Sequence, residues 1–192
     1  MSTTERHPQA RPMRADARRN YEKVLAAAHD AFTEGGAETS LEEIARRAQV
    51  GIGTLYRHFP NRQALLEAVY VGEVEEMCRS ATEFAELPPW EAFQGWLHRF
   101  VDYMGTKRAL ANELLNYVDQ DAGLFKNCRA TLFAAGEPLL ERAQQAKAVR
   151  SDVDLAEIIH MVGGIAKIQG VEPEQIERIL GVALDGLRYR AS

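Results

Sequence analysis

The sequence predicts an all-α protein of about nine helices, and three observations support this prediction. Apolar residues recur three and four positions apart along most of the 192 residues, and no stretch shows the alternation typical of a strand. Glycine and proline interrupt this pattern at intervals that suit helix ends. Hydrophobic residues make up 46% of the chain and charged residues 27%, a composition that is ordinary for a globular protein and too apolar for disorder.

The first 70 residues contain four predicted helices. Helix one ends at Gly35-Gly36 and carries an apolar stripe made of Tyr21, Val24, Leu25, Ala28 and Phe32. Ser40 and Glu43 form a capping box that opens a short second helix. After a turn at residues 49–51, a short third helix turns Leu55 and Phe59 inward. Pro60-Asn61 ends it and opens helix four.

The remaining residues predict further helices separated by glycine and proline. A helix starts at about Trp90 and is expected to be interrupted at Gly105-Thr106. The next helix meets Pro138, which removes a backbone hydrogen bond and predicts a kink or break near Gly136. Two more helices are expected, one from Asp154 to about Lys167 and an amphipathic one after the turn at residues 170–173.

Composition and motifs argue against several classes of protein. Two isolated cysteines, Cys78 and Cys128, suit a reducing compartment and form no disulfide framework. No run of 18 apolar residues suggests a membrane span, and residues 1–12 lack the apolar segment of a secretory signal, so we expect a cytoplasmic protein without a membrane partner. The chain has no GxSxG, HExxH or P-loop motif, so we expect no catalytic residues, no metal site and no cofactor.

Charge is distributed unevenly within this acidic chain of net charge −5. Residues 1–70 contain ten basic and nine acidic residues, a net of +1, whereas residues 71–192 contain thirteen and nineteen, a net of −6. Basic residues are concentrated in the ranges 6–23 and 44–62. These clusters are either two solvated helix faces or the footprint of an anionic partner.

Helices two and three have the lengths and the connecting turn of a helix-turn-helix, whose second helix enters the DNA major groove. The segment 39–66 strongly resembles the DNA-binding segment of TetR-family transcriptional regulators, and the string GTLYRHFPNRQALL at residues 53–66 is its most specific part. The remainder is similar to the SbtR-like C-terminal domain, through the strings at residues 100–114, 149–154 and 161–166. Gln49 departs from the family, which usually has glycine there. A left-handed backbone would strain Gln49 by about 1–2 kcal/mol.

The resemblance implies three regions: a flexible basic arm at residues 1–15, a DNA-binding domain at 16–70, and an effector-binding and dimerisation domain at 71–192. It also implies a homodimeric regulator, most simply a repressor that binds a palindromic DNA operator and is released by a small-molecule effector. Activation remains an alternative, as does a helical interaction module that binds no DNA. A metal or redox sensor using Cys78, Cys128, His98 and His160 is a further alternative.

Candidate site residues follow from the resemblance, position by position. The DNA-contacting residues are expected to be Ser40, Ile52, Gly53, Thr54, Tyr56, Arg57, His58 and Arg62. Arg57 occupies the family's variable groove-facing position, whereas Tyr56 and His58 occupy its phosphate-contacting positions. Tyr56 could instead be core, and His58, Arg57 and Arg62 could be solvated or structural.

The second domain offers a candidate pocket and a candidate dimer face. The pocket residues are expected to be Phe93, Trp96, Phe100, Tyr103, Met104, Asn112, Tyr117, Phe125 and Phe133, although an apolar residue in such a pattern more often belongs to the core. The resemblance implies that the last two helices pair with their copies, so the dimer interface is expected to contain Met161, Gly164, Ile176, Ile179, Ala183 and Leu187. Small residues beside apolar ones let helices pack closely, although the glycine pair could instead pack within one subunit.

Overall fold

A computed structural model describes residues 10–35, 39–117 and 123–189, and it confirms the all-α prediction. Eight helices lie within these ranges, together with one isolated bridge between Val149 and Arg188. The helices are α1 (Ala10–Gly35), α2 (Leu41–Arg47), α3 (Ile52–His58), α4 (Arg62–Phe84), α5 (Pro89–Leu114), α6 (Gly123–Gln145), α7 (Leu155–Ile165) and α8 (Pro173–Asp185). None of the helices described is both long and apolar enough to cross a bilayer.

The chain divides into two compact units, the first ending at Val69 and the second beginning at Tyr70. In the first unit α1, α2 and α3 pack on one another around a small apolar core. That core includes Val24, Ala28, Phe32, Ile44, Leu55, Phe59, Leu65 and Leu66, each no more than 3% exposed. Helix α4 begins in this unit and continues into the second, so it is the covalent connection between them.

In the second unit α5 is the central helix, with α6 and α7 packed against it and α8 packed on α7. The indole of Trp96 is fully buried and lies directly over Gly136 of α6. A Cβ atom at position 136 would come within 2.2 Å of that indole, so only glycine allows this close approach. Arg142 donates hydrogen bonds to the carbonyl oxygens of Ala85 and Leu87, which fixes the connection before α5.

The predicted interruption at Gly105-Thr106 and a break near Gly136 are wrong, whereas a kink near Gly136 stays a prediction. Helix α5 continues through Gly105-Thr106, and α6 continues through Gly136 and Pro138. A glycine costs a helix about 1 kcal/mol and a proline about 3 kcal/mol, and burial of apolar residues on both sides of each position outweighs these costs. In α6 the buried residues around Pro138 are Leu132, Leu139, Leu140 and Ala143. In α5, Phe100 and Leu110 are buried on either side of the glycine.

Candidate nucleic-acid interface and ligand cavity

Helix α3 presents one face to the core and the other to solvent, as predicted. Leu55 is fully buried and Phe59, which follows the helix, is 3% exposed. Ile52 and Tyr56 are 38% and 44% exposed, so Tyr56 is not a core residue. Gly53 and Arg57 are also exposed, whereas Thr54 and His58 are half-buried.

An aromatic cluster fixes the carboxyl end of α3 against α1. The ring of Tyr21 stacks on Phe59 at a centroid distance of 5.1 Å. The same ring meets the imidazole of His58 edge-on at 5.9 Å. These contacts orient His58 at the surface of the unit, with part of the imidazole exposed.

The amino end of α3 is open. Gly51 caps the helix, and its carbonyl oxygen accepts hydrogen bonds from the backbone nitrogens of Thr54 and Leu55 at 2.8 and 3.1 Å. A Cβ atom added at Gly51 or Gly53 would meet nothing within 4 Å beyond the neighbouring backbone. The fold therefore does not require glycine at position 53 for packing, and an external surface can approach the backbone closely there.

The turn between α2 and α3 is a Schellman motif. The backbone nitrogen of Val50 donates to the carbonyl oxygen of Ala45 at 3.0 Å, and that of Gln49 donates to Arg46 at 3.1 Å. Gln49 has φ of 56°, the left-handed conformation in which a side chain is strained. The strain expected at this position from the sequence is therefore present.

The arginines of the basic cluster at residues 44–62 differ in their partners. Arg46 and Arg47 both donate to the carboxylate of Glu43, at 2.7–2.9 Å, and Arg47 also binds Glu34 at 2.8 Å. Hydrogen bonds from Arg46, and then from Arg47, lower the pKa of Glu43 to about 2. No ion pair is seen for Arg57 within the described part of the chain, so its exposed charge is available to an external partner.

Two of the predicted contact residues already have intramolecular roles. The guanidinium of Arg62 lies over the Phe32 ring at 5.4 Å and donates to the carbonyl oxygen of Thr39 at 2.6 Å. The Ser40 hydroxyl accepts a hydrogen bond from the Glu43 backbone at 3.2 Å and so caps α2. These residues organise the first unit whether or not they also contact a ligand.

The second unit contains a cavity of about 350 Å³. Helices α4, α5, α6 and α7 and the residues just after α7 form its walls. The lining residues are Tyr70, Phe100, Met104, Phe125, Arg129, Leu132, Phe133, Ile159, His160, Gly163, Gly164 and Lys167. Four of the predicted pocket residues are among them: Phe100, Met104, Phe125 and Phe133.

The other five predicted pocket residues do not line this cavity. Phe93, Trp96 and Tyr103 are buried, which corresponds to the alternative that they belong to the core. Asn112 lies in the last turn of α5 and Tyr117 in the turn that follows the helix, and both are exposed. Periodicity shows which residues share a helix face, but it does not show which part of that face meets a void.

Sequence reasoning missed the basic residues of the cavity. Arg129 and Phe133 are four residues apart on α6, and the guanidinium lies 5.3 Å from the centre of the Phe133 ring. His160 and Lys167 come from α7 and the turn after it. The i, i+4 spacing of Arg129 and Phe133 is the sequence pattern that could have indicated their contact. The other residues come together only in the folded chain.

The predicted dimer residues have mixed exposure. Met161, Ile176, Ile179 and Ala183 are half-buried and Gly164 is exposed. Leu187 is 5% exposed, so packing within its own chain already covers most of its side chain. Val182, which sequence reasoning missed, is 76% exposed on α8. Across the described residues, no group of three His, Cys, Asp or Glu side chains is arranged to hold a metal ion.

Comparison with known proteins agrees with this division into two parts. Residues 24–69 match the family described as bacterial regulatory proteins of the tetR family, and residues 88–189 match the SbtR-like transcriptional regulator C-terminal domain. A crystal structure of a TetR transcriptional regulator from Streptomyces coelicolor is 41% identical, with a TM-score of 0.77, over 88% of this chain and 99% of that one. A TetR regulatory protein from Mycobacterium vanbaalenii is 35% identical, with a TM-score of 0.78, over 92% and 99%.

Among curated proteins, an HTH-type transcriptional regulator of Staphylococcus aureus is 43% identical over 54 residues. This match spans 28% of the present chain and 29% of the relative. It therefore concerns a segment about the size of the first unit, and it says nothing of the ligand or partners of the second.

Proposed function

The chain belongs to the TetR family of bacterial transcriptional regulators, and we propose that it is a homodimeric repressor. It binds a palindromic operator, and a small-molecule effector releases it. The exposed face of α3 is the observation that carries the proposal, because it combines an open backbone at Gly53 with the exposed side chains of Tyr56 and Arg57.

In the proposed complex α3 lies in the major groove. Gly53 lets the helix backbone approach the base edges, Ile52 meets a thymine methyl group, and Thr54 contacts the backbone or a base. Arg57 reads bases with its guanidinium. Tyr56 and His58 contact phosphates, which positions the helix without specifying sequence. Because this partner is the genome, we place the protein in the cytoplasm.

The proposed dimer uses the outer faces of α7 and α8. The strongest support is Val182, an aliphatic side chain 76% exposed on α8 beside the half-buried Ile179. A four-helix bundle made of two copies of α7 and α8 would cover both side chains. Two-fold symmetry then presents two copies of α3, which must lie about 34–36 Å apart to meet successive major grooves.

The cavity between α4 and α7 is the proposed effector site. Its apolar walls and few polar groups are typical of small-molecule sites. An effector can release DNA only if it binds more tightly to the dimer whose recognition helices are wrongly spaced. Helix α4 lines the cavity with Tyr70 and also begins in the first unit, so it is the connection through which this coupling would pass.

A salt titration of DNA binding tests the proposal. Purified protein is titrated against the DNA flanking its own gene and against random duplex. We expect a footprint on a palindrome and a linear fall of log K with log salt concentration. Transcription from the adjacent promoter in vitro should fall as protein is added. Equal affinity for all duplexes, confirmed by selection from a random library, would show that the protein has no specific operator. A rise in transcription would contradict repression.

A further inference from the structure

The charged groups of the cavity share one sign. Its lining contains Arg129, His160 and Lys167, and none of the lining residues is acidic. This contrasts with the sequence from residue 71 onward, which contains thirteen basic and nineteen acidic residues, a net of −6. Arg129 and Lys167 therefore stand in the cavity lining without an acidic residue beside them in that lining, so the cavity favours an anion although the unit as a whole is acidic.

The charged and the apolar groups occupy different parts of the cavity. Arg129, His160 and Lys167 are exposed, so they lie at its mouth. Phe100 and Leu132 are buried, at 2% and 4% exposure, and they form part of the inner wall. A molecule that fills this space must present an apolar body inward and a polar group outward.

Arg129 is held in position before any ligand binds. Its guanidinium lies 5.3 Å from the centre of the Phe133 ring, four residues further along α6, a cation–π contact that limits its rotation. The N–H groups of a guanidinium lie in its own plane, so a contact through its face leaves them available to a carboxylate. Ordering this side chain on binding therefore costs less than ordering a free one.

The volume limits the size of the ligand. A cavity of about 350 Å³ is at the small end of ligand sites, for which about 300–1,000 Å³ is usual. The phenol ring of Tyr70 and the phenyl rings of Phe100, Phe125 and Phe133 line it. A body of one or two fused rings fits both the volume and these aromatic walls.

We propose that this cavity binds a small aromatic carboxylate, with the ring system against Phe100, Phe125 and Phe133 and the carboxylate on Arg129 and Lys167. The inference rests on the proposed function in taking the cavity as the effector site, and it names the chemical class of that effector. His160 completes the mouth as a hydrogen-bond donor. The alternative class, a cationic ligand, would place like charges together.

Calorimetric titration of the full-length protein without DNA tests the charge preference. The probes are 2-naphthoate, the neutral 2-naphthamide and the cationic 2-naphthylmethylammonium, which share one ring system. We expect naphthoate to bind at least about tenfold more tightly than the amide, and the ammonium probe to bind more weakly than either. Equal affinity for all three probes, or no binding of any of them at millimolar concentration, would overturn the proposal.

Variants locate the site. Arg129→Gln and Lys167→Gln should each bring the affinity for naphthoate to within about threefold of that for the amide, since a charge-assisted hydrogen bond is removed. Arg99→Gln, another exposed arginine of the second unit but outside the cavity lining, is the matched control and should change nothing. A loss as large in Arg99→Gln would show that only net charge matters and would overturn the assignment.

A third variant tests the cavity itself. A Cβ atom at Gly164 would meet nothing within 4 Å beyond its own helix, so Gly164→Leu can fold and should fill the space, abolishing binding of naphthoate and naphthamide alike. Unchanged binding would place the site elsewhere.

DNA binding is measured separately by fluorescence anisotropy. If the protein binds naphthoate but stays on its operator, the cavity is an anion site but not the effector site. If the protein binds naphthoate but never binds DNA, only the proposed function is contradicted.

Discussion

The exposed face of α3 and the cavity of the second unit differ in how the chain builds them. Seven consecutive residues make the α3 face, whereas the cavity collects residues from position 70 to position 167 on four helices and a turn. Each contains a glycine, Gly53 or Gly164, at which a Cβ atom would meet nothing within 4 Å. A local surface can therefore be derived from spacing, whereas a concave one depends on tertiary packing.

Gly53→Leu should have the largest effect. A bulky side chain at the start of α3 prevents the backbone from approaching the base edges, so only non-specific affinity should remain. Because specific binding is typically at least about 10³-fold tighter than non-specific binding, we expect a fall of at least about 100-fold in operator affinity. The fold should be kept, since the position is open and leucine favours helix more than glycine does. Fluorescence anisotropy and far-UV circular dichroism measure the two quantities.

The same variant separates the two regions. Naphthoate binding in Gly53→Leu should equal that of the parent protein, whereas Arg129→Gln should lose the preference for naphthoate over naphthamide and keep the operator. If the Gly53→Leu protein still binds its operator tightly, α3 does not lie in the major groove.

Gly136→Ala should cost about 2 kcal/mol of stability in the second unit. The added Cβ atom lies 2.2 Å from the Trp96 indole, which stacks near Phe100 of the cavity wall, and overpacking of this kind typically costs 1–3 kcal/mol. Gly72→Ala in α4 is the matched control, because its Cβ atom would meet nothing within 4 Å. Urea unfolding followed by tryptophan fluorescence reports this unit, since Trp90 and Trp96 both belong to it. Equal stability of the two variants would show that the indole moves aside freely.

Arg57→Ala should change the preference of the protein among DNA sequences, by about 1–3 kcal/mol of discrimination at the base that it reads. Tyr56→Ala should instead weaken binding to all sequences alike, because phosphates carry no sequence information. Selection from a random library with each variant measures both effects. If Arg57→Ala lowers the affinity for all DNA sequences equally, the exposed guanidinium contacts phosphates rather than bases.

The two regions also differ in what the sequence could predict. The inward placement of Leu55 and Phe59 follows from residues within a few positions of each other, and the structure has this feature. The possibility of a left-handed backbone at Gln49 came instead from the family resemblance, and Gln49 has φ of 56°. The basic mouth of the cavity could not be predicted, because Arg129 and Lys167 meet only after α6 and α7 have packed. The predicted break in α6 was wrong for a related reason: the close approach of Trp96 to Gly136 is invisible to local rules.

The smallest predicted effect is a gain in stability on replacing a left-handed residue by glycine, and it should be similar in the two units. Each has a Schellman turn with a left-handed residue other than glycine, Gln49 with φ of 56° after α2 and Lys147 with φ of 54° after α6. Glycine removes a strain of about 1–2 kcal/mol but restores about 0.5–1 kcal/mol of unfolded-chain entropy. Gln49→Gly and Lys147→Gly should therefore each stabilise their unit by up to about 1 kcal/mol. Urea unfolding measures this, with circular dichroism for the first variant and fluorescence for the second. If Lys147→Gly raises the stability and Gln49→Gly does not, the glutamine side chain offsets its own strain through contacts in the first unit. The family's usual glycine would then be needed at position 49 for something other than stability.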